Sequence, residues 1–352
     1  MRALRRSART TTCARSWGLI LCALLCGIVA APPSARGADE RLQRVGGEAF
    51  TDPDDRVEMP PEWVKKRIGR EAWSRGTDVA ITLDQHLYAA LLPLIQRYAR
   101  EHRLAVAVKE GTCGVTTGLL ARKMADVGGF CCPPAKSDRL PGIQHHTVGI
   151  AALALLVNPS NPVERVTLDQ ARALFQGRIE RWSELRTARG SAGPDVRVQP
   201  VIRLHCPSRP GHWRLLLDHE ELFAPNAQEV SAIPDMIRAV AADRRAVGHE
   251  VMYMTRLFVE QGKTKPLRID GASPLEPDRL VAGDYPLYRT FVITTWENPE
   301  SANPRARALV AHLLKAVDAG ALDPRLGIVP SARLREAGWK FRGDELVGEP
   351  GR

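Results

Sequence analysis

The sequence predicts an α/β protein, because short buried strands alternate with amphipathic helices along most of its length. Residues 78–83 (DVAITL) and 104–108 (LAVAV) are apolar runs of strand length, and residues 86–102 between them carry apolar side chains at helical spacing. This alternation is typical of βαβ units and of a mainly parallel sheet. A length of 352 residues suits two domains of ordinary size.

Composition and charge are those of a globular chain, with 44% hydrophobic and 26% charged residues. The formal net charge is +10, but the first 37 residues hold six arginines and no acid. Without them the 50 basic residues fall to 44 against 40 acidic residues, a net charge of +4. The sequence contains no block of Lys and Arg interleaved with aromatic residues, so we expect no nucleic-acid partner.

Residues 1–37 have the layout of a secretory signal peptide. An arginine-rich start precedes residues 17–31 (WGLILCALLCGIVAA), an apolar run that is short for a membrane span. Cleavage after Gly37 or after Ala31 fits the small residues there. We therefore expect a periplasmic protein with no membrane insertion once the leader is removed. An uncleaved N-terminal anchor, or a lipoprotein acylated at Cys26, is the alternative.

The next elements of the predicted sheet follow in order. The glycine- and threonine-rich residues 111–118 predict a loop, which opens onto a helix at 119–124. A brief third strand at 126–129 runs into the Cys-Cys-Pro-Pro sequence at 131–134. Residues 147–158 (TVGIAALALLVN) then predict a long buried strand.

The second half of the chain continues the alternation. Thr167 is the predicted N-cap of a helix at 168–176, and Gly177 stands just past its end. Residues 280–286 predict a turn, and we expect the basic tail at 341–352 to be partly frayed. The remaining predicted helices and strands are helices at 209–222, 233–241 and 304–319 and strands at 196–203, 246–254 and 288–295.

This succession of segments resembles the type 2 periplasmic solute-binding proteins, and within them the phosphate-binding subfamily of ABC importers. The most specific segment is LDQARALFQGRIERWSEL, because the family has a helix, a glycine–basic–isoleucine turn and then a Trp. The other segments that carry the resemblance are DVAITL, VKEGTCGVTTGLL, ADVGGF, GIAALALLVNPSNPV, VQPVIRLHCPSRPGHW, AVGHEVMYM, YPLYRTFVITT and LGIVP. Together they cover roughly residues 77–332.

The resemblance implies two α/β lobes that close by a hinge motion around a ligand in the cleft between them. One lobe takes residues 77–150 plus 285–340 and the other takes 151–284, preceded by an N-terminal arm at 38–76. It also implies a monomeric binding protein rather than an enzyme, with no cofactor. The expected ligand is a small oxyanion, phosphate or a relative, and the expected partner is an ABC permease.

Candidate anion contacts lie in the glycine-rich loop and in the segment after residue 200. In open α/β sheets ligands bind beyond the C-terminal ends of strands, near helix N-termini whose N–H groups favour anions. Arginine side chains add charge-assisted hydrogen bonds. The alternative is a structural turn with a helix cap. The predicted ligand-binding residues are Thr112, Gly114, Thr116 and Thr117, with Arg203 and Arg209 as charge partners.

The sequence departs from the family where the ligand would bind. The acidic residue expected after the GGF segment is replaced around two cysteines, and the serine-glycine-threonine anion loop is replaced by residues 204–213. All the cysteines beyond the leader fall in the three loops that the family directs at its ligand, so we expect them to meet at one crevice. These cysteines and the histidines that accompany them are Cys113, Cys131, Cys132, Cys206, His205 and His212.

Three interpretations of these cysteines stay open. A disulfide from Cys113 to Cys131 or Cys132 would brace the cleft in an oxidising compartment. Thiolates and imidazoles would instead form a site for zinc or copper(I). A free thiol would act as a redox or nucleophilic residue. The alternatives to an oxyanion receptor are therefore a Cys/His metal-binding receptor and a periplasmic thiol-redox enzyme.

Overall fold

Fourteen strands, most of them in one mixed sheet, organise the chain in this computed structural model, which describes residues 45–351. The predicted signal peptide lies outside the described residues. The strands are β1 Val79–Asp84, β2 Val106–Gly111, β3 Val127–Phe130, β4 Ile143–Val157, β5 Arg165–Val166, β6 Gln199–Ile202, β7 Gln228–Glu229, β8 Ala246–Val251, β9 Lys265–Pro266, β10 Arg268–Ile269, β11 Tyr288–Trp296, β12 Val329–Pro330, β13 Lys340–Arg342 and β14 Glu345–Gly348.

Helices cover both faces of this sheet and connect its strands. They are α1 Pro61–Val64, α2 Gln85–Glu101, α3 Cys113–Ala121, α4 Leu168–Gln176, α5 Ile233–Ala242, α6 Met252–Leu257, α7 Pro277–Val281, α8 Pro304–Asp318 and α9 Ser331–Glu336. Within residues 45–351, none of them has the length and apolar character that crossing a membrane requires.

The long strand β4 joins the two halves of the molecule. Its first part pairs antiparallel with β11, from Ile143 opposite Trp296 to Ala152 opposite Tyr288. Its last part pairs antiparallel with β8, starting at Leu153. The sheet order is β2-β1-β3-β11-β4-β8-β6-β7, with β9 and β12 also on β4. The sheet is thus mixed: the flanks are parallel, as predicted, but the two longest strands run antiparallel to their neighbours.

Local sequence fixes the ends of the helices that border the centre of the molecule. Asp84 ends β1 and caps α2, because its Oδ1 accepts from the backbone N–H of His86. Thr167 and Gln170 form a capping box on α4, and Gly177 ends that helix at φ +72°. These helix positions confirm the sequence prediction.

The predictions for residues 111–118 and 209–222 are wrong. The predicted loop at 111–118 is mostly helix, since α3 begins at Cys113, where Thr112 Oγ1 caps it by accepting from the N–H of Val115. The predicted helix at 209–222 is instead two short 3₁₀ turns, His212–Leu215 and Glu220–Leu222. Positive φ values at Gly211 and His212 interrupt the helical backbone there.

The two ends of the described chain pack on the core. Part of the predicted arm docks through Trp63, whose indole N–H donates to the carbonyl of Ala121 at 2.7 Å. The predicted frayed tail is a hairpin of β13 and β14, because Glu345 and Leu346 are buried against the rest of the chain. The hairpin adds a buried ion pair between Glu345 and Arg139 at 2.7 Å.

Candidate functional site

Four cysteine thiols meet at the carboxyl ends of the strands. Cys113 begins α3, Cys131 and Cys132 follow β3, and Cys206 lies in the loop after β6. The Sγ atom of Cys131 is 3.6 Å from that of Cys113 and 3.8 Å from that of Cys132. The sulfurs of Cys113, Cys132 and Cys206 all lie within 4.8 Å of one another. Three segments that are distant in sequence therefore bring their sulfurs together, as the sequence predicted, and we call the region around these four sulfurs the crevice.

The crevice depends on close packing of α3 against β3. Gly128 allows it, because a Cβ on that residue would lie 2.5 Å from Cδ1 of Leu120 and 2.9 Å from Cγ2 of Thr116. All four cysteines are free, and the shortest sulfur separation far exceeds the roughly 2.05 Å of a disulfide. The bracing disulfide is thus not formed in the structure.

The loop after β6 reaches the crevice through an unusual backbone path. Cys206 and His212 adopt φ values of +55° and +48°, a left-handed region that non-glycine residues seldom occupy. His205 stacks on His212 with ring centroids 5.4 Å apart, and Trp213 anchors the loop by donating to the carbonyl of His205 at 2.8 Å. Such strain is held in place only by surrounding contacts. It directs both His205 and Cys206 toward the crevice.

The two arginines predicted to balance an anion are buried and already paired with carboxylates. Nη2 of Arg203 donates to Glu250 at 2.8 Å, and Nη2 of Arg209 donates to Asp138 at 2.5 Å. Arg209 also donates to Thr117 Oγ1 at 2.6 Å, which links the loop after β6 to α3. An acidic side chain, that of Asp138, therefore does lie near the GGF segment, but it comes from a position after the two cysteines in the sequence.

The four predicted contacts of the glycine-rich segment face different surroundings. Thr112 and Gly114 are exposed at the N-terminus of α3, whereas Thr116 is buried against a threonine of β1 at 3.3 Å. Thr117 is half-buried and donates to Asp138 at 2.5 Å. The structure therefore brings Thr117 beside Arg209, leaves Thr112 and Gly114 at the helix end, and places Thr116 in the interior.

Sequence reasoning missed Arg289, the arginine at the centre of the crevice. It lies on β11, is 0% exposed, and donates to the Cys131 sulfur at 3.2 Å. A second guanidinium nitrogen lies 2.7 Å from Nε2 of His205. None of the ion pairs within residues 45–351 involves Arg289. The available signal was an arginine inside an otherwise apolar strand, because burial of such a charge requires a partner.

His86 and Glu250 connect the two halves of the molecule across the crevice. Nε2 of His86 lies 2.9 Å from Glu250, and Nδ1 lies 3.3 Å from Asp84. Burial alone would lower the pKa of His86, but the adjacent carboxylates outweigh it and hold that pKa well above its ordinary value. Burial would raise the pKa of Glu250, but Arg203 and His86 keep it well below its ordinary value. This network is therefore ionised at neutral pH.

The other histidines of the region are buried in neutral form. Burial, with nearby arginines, lowers the pKa of His205 and of His212 well below the ordinary value. Burial also lowers the pKa of His249 to about 3. Neither ring nitrogen of His212 or of His249 has a hydrogen-bond partner among the described residues. Positive charge in the crevice thus comes from His86 and the guanidinium groups.

Two of the thiols lie in surroundings that favour thiolate. Burial would raise the pKa of Cys131, but its contact with Cys132 and the charge of Arg289 help to lower it to about 5. Contacts with Cys113 and Cys132 lower the pKa of Cys206 to about 5. Burial raises the pKa of Cys132 well above its ordinary value. The arrangement thus stabilises negative charge, whether on sulfur or on a bound anion.

Known proteins share this architecture. The family description "PBP superfamily domain" matches residues 69–316. The phosphate-binding protein PstS of Bacillus subtilis (strain 168) is 26% identical over 145 residues, which are 41% of this chain and 44% of that protein. The match thus spans less than half the length of that curated relative.

Two solved structures show the same fold. An ABC-type phosphate transport receptor from Vibrio cholerae has a TM-score of 0.54 and 21% identity, over 72% of this chain and 99% of that one. A protein from Clostridium perfringens solved with bound phosphate has a TM-score of 0.58 and 14% identity, over 72% of this chain and 98% of that one. By the family match and the strand order, this chain belongs to the PBP superfamily of solute-binding folds.

Proposed function

We propose that the protein is an exported receptor that captures a small oxyanion, phosphate or a relative, in the crevice between its halves and hands it to an ABC permease. The observation that carries the proposal is Arg289, a buried guanidinium with no carboxylate of its own. The relatives named for phosphate and the leader-like residues 1–37 support the ligand class and the export. The function involves no chemical transformation.

Charge balance is the physical argument for an anion. Arg203 and Arg209 each have a carboxylate within 2.8 Å. Arg289 donates to sulfur and lies beside an imidazole, and none of the carboxylates within residues 45–351 forms a direct ion pair with it. Its charge is offset by the Cys131 thiolate, by the more distant Glu250 and Asp84, or by a bound anion. An unpaired buried charge costs several kcal/mol. A receptor gains affinity when its ligand removes that cost.

The proposed contacts form two groups. The N-terminus of α3 presents unpaired N–H groups beside Thr112 and Gly114, which suit an oxyanion. Thr116 and Thr117 add hydroxyl donors from the same helix once their contacts with Thr82 and Asp138 are released, and Arg203 and Arg209 add charge. Opening of the crevice requires the Arg209–Asp138 and His86–Glu250 contacts to separate. We propose that the ligand enters when these contacts open and that its binding favours the closed form, in which they form again.

Calorimetric titration of the reduced, metal-free full chain with inorganic phosphate, sulfate and chloride tests the proposal. We expect one equivalent of phosphate or sulfate to bind and chloride not to bind. Ligand at 100 times its dissociation constant should add about 2.7 kcal/mol to the free energy of unfolding. A folded protein that binds no oxyanion would contradict the proposal.

A matched pair of variants locates the anion. Arg209→Gln and Arg139→Gln each remove a buried arginine and leave a buried carboxylate, Asp138 or Glu345, without its partner. Both variants lose stability, but only Arg209→Gln should weaken phosphate binding. Equal loss of binding in the two would place the anion elsewhere. Fusing residues 1–45 to a reporter enzyme that is active only outside the cytoplasm tests export independently of the ligand.

A further inference from the structure

We propose that Cys113, Cys131, Cys132 and Cys206 form a thiolate site for a thiophilic d¹⁰ cation, Zn²⁺ or Cu⁺. Sulfur atoms from three separated segments converge here without forming a disulfide. The site does not depend on the proposed oxyanion function, because it is assigned from sulfur geometry and can be tested with the metal alone.

The sulfur spacing is that of a metal centre. A tetrahedral Zn²⁺ with Zn–S bonds of about 2.3 Å places its sulfurs about 3.8 Å apart. The Cys113–Cys131 and Cys131–Cys132 separations are 3.6 Å and 3.8 Å. Cys206 joins the cluster through Cys113 and Cys132, since these three sulfurs lie within 4.8 Å of one another. Cys131 lies beside Cys113 and Cys132, so a cation held by the first three thiols takes Cys131 as its fourth ligand once the sulfurs draw together around it.

The surrounding groups exclude harder cations and support a thiolate cluster. The carboxylate of Asp84 lies within 4.8 Å of the sulfurs of Cys113 and Cys131, but one of its oxygens already caps α2. Sulfur is therefore the donor that remains, and sulfur selects soft or borderline ions over Mg²⁺ and Ca²⁺. Arg289 donates to Cys131 at 3.2 Å, the kind of outer contact that orients a ligand and offsets thiolate charge.

The strained loop after β6 positions the fourth thiol, that of Cys206. Cys206 holds a left-handed backbone at φ +55°, and the Trp213–His205 contact fixes the loop on either side of it. A half-buried position whose strained backbone is held by surrounding contacts is typical of functional sites.

Cobalt titration tests the site without any change in the crevice. The background is the full chain with Cys13, Cys22 and Cys26 replaced by serine, which removes every other thiol of the seven in the chain. The protein is reduced and stripped of metal. One equivalent of Co²⁺ should produce a thiolate-to-cobalt charge-transfer absorption, which one equivalent of Zn²⁺ then removes and Mg²⁺ does not. Cu⁺ is titrated separately against a chromophoric chelator.

Variants assign the ligands. Cys132→Ser or Cys206→Ser should abolish the charge-transfer band or weaken Zn²⁺ binding by more than about 100-fold, beyond the range typical of outer contacts. The control His205→Gln leaves all four thiols and should weaken binding by no more than about 100-fold. Circular dichroism checks that each variant is folded.

The proposal is overturned if the folded parent chain gives no charge-transfer band, or if a thiol count on native protein finds these cysteines joined in disulfides. Failure here leaves the oxyanion proposal standing, since phosphate titration uses metal-free protein. Conversely, failure to bind phosphate leaves the cobalt result unaffected. Thiolates that hold a metal ion also interact with the positive charge of Arg289. The affinity for phosphate should therefore fall when Zn²⁺ is bound.

Discussion

Two ionic clusters in this molecule use the same residue types for different purposes. The first, which we call the hairpin anchor, consists of Arg139, His146, Asp344 and Glu345. Both terminal nitrogens of Arg139 donate to Glu345, at 3.0 Å and 2.7 Å. His146 lies between Asp344 and a threonine of β11, each at 2.8 Å. Every charge in the anchor has an opposite partner. The cluster therefore holds the C-terminal hairpin in place and needs no ligand to balance its charge.

The second cluster, in the crevice, is not balanced within itself. Arg203 and Arg209 have carboxylates, but Arg289 faces sulfur and imidazole. A set of buried charges that are all paired with carboxylates is complete by itself, whereas a buried guanidinium without a direct carboxylate partner can take a thiolate or a bound anion as its counter-ion. The comparison therefore supports the proposal that a ligand binds in the crevice rather than at the anchor.

Loss of one carboxylate from each cluster should produce the largest effect. Glu250→Gln leaves Arg203 without its buried carboxylate and removes one of the two carboxylates beside His86, and Glu345→Gln leaves Arg139 without its partner. Each variant should lose about 3–5 kcal/mol of unfolding free energy, the usual cost of a buried charge left alone. Urea denaturation measures both.

The same two variants should differ in their affinity for phosphate. Glu345→Gln, once shown to be folded, should keep the phosphate affinity of the parent, because the anchor touches no predicted ligand residue. Glu250→Gln frees a second guanidinium in the crevice and should change that affinity. If the anchor variant changed binding as much as the crevice variant, the distinction between the clusters would fail.

Acid should destabilise both regions through buried neutral histidines. Burial lowers the pKa to about 3 for His249, and burial with Arg139 does the same for His145. Their unfolded-state pKa is about 6.5, so below that pH the unfolded chain binds protons that the folded chain excludes. Stability is therefore full above pH 6.5 and falls toward pH 3, by about 1.4 kcal/mol per pH unit for each histidine.

His249→Leu isolates one of these contributions. The variant should reduce the pH slope by about 1.4 kcal/mol per unit between pH 6 and pH 4. His102→Leu is the matched control, since His102 is exposed on the surface and should leave the slope unchanged. Denaturant midpoints measured across that range provide the slopes. An unchanged slope in His249→Leu would show that its imidazole is accessible to protons in the folded state.

Much of the fold could be predicted because its signals are local. The capping box at Thr167 and Gln170 and the apolar spacing of α2 depend on neighbouring residues alone, and both helices stand where the sequence placed them. The predicted helix at 209–222 failed because His212 adopts a positive φ that tertiary contacts impose. No local sequence pattern shows where tertiary contacts will replace a helical backbone with another conformation. The antiparallel course of β11 beside β4 is likewise a pairing between distant segments.

The candidate site was predictable only in part, for the same reason. The family order indicated that Cys113, Cys131 and Cys206 would meet, and they do. The partners of Arg203 and Arg209 were not predictable, because Glu250 and Asp138 reach them from other elements. These pairings decide which guanidinium group lacks a carboxylate partner, so the sequence alone could not identify Arg289.

Arg289→Met removes the arginine of the crevice that has no carboxylate partner, and so tests the comparison between the two clusters. Because no carboxylate is left unpaired, the ligand-free variant should stay within about 2 kcal/mol of the parent, as when buried ions are replaced by apolar residues. The stabilisation of about 2.7 kcal/mol by saturating phosphate should disappear. Thermal melts with and without phosphate measure both quantities. A loss of stability as large as in Glu250→Gln would mean that Arg289 is structural.

Asp344→Asn tests the outer edge of the hairpin anchor, where the smallest effect is expected. Asp344 pairs with His146 at 2.8 Å, but its side chain is 52% exposed. Ion pairs open to solvent contribute less than about 1 kcal/mol, and salt screens them. The variant should therefore lose less than that in urea denaturation, and the difference should shrink further at high ionic strength. The isosteric amide keeps the backbone contact that Asp344 makes to Thr147. A loss approaching that of Glu345→Gln would mean that the anchor acts as one cooperative unit rather than through its buried Arg139–Glu345 pair.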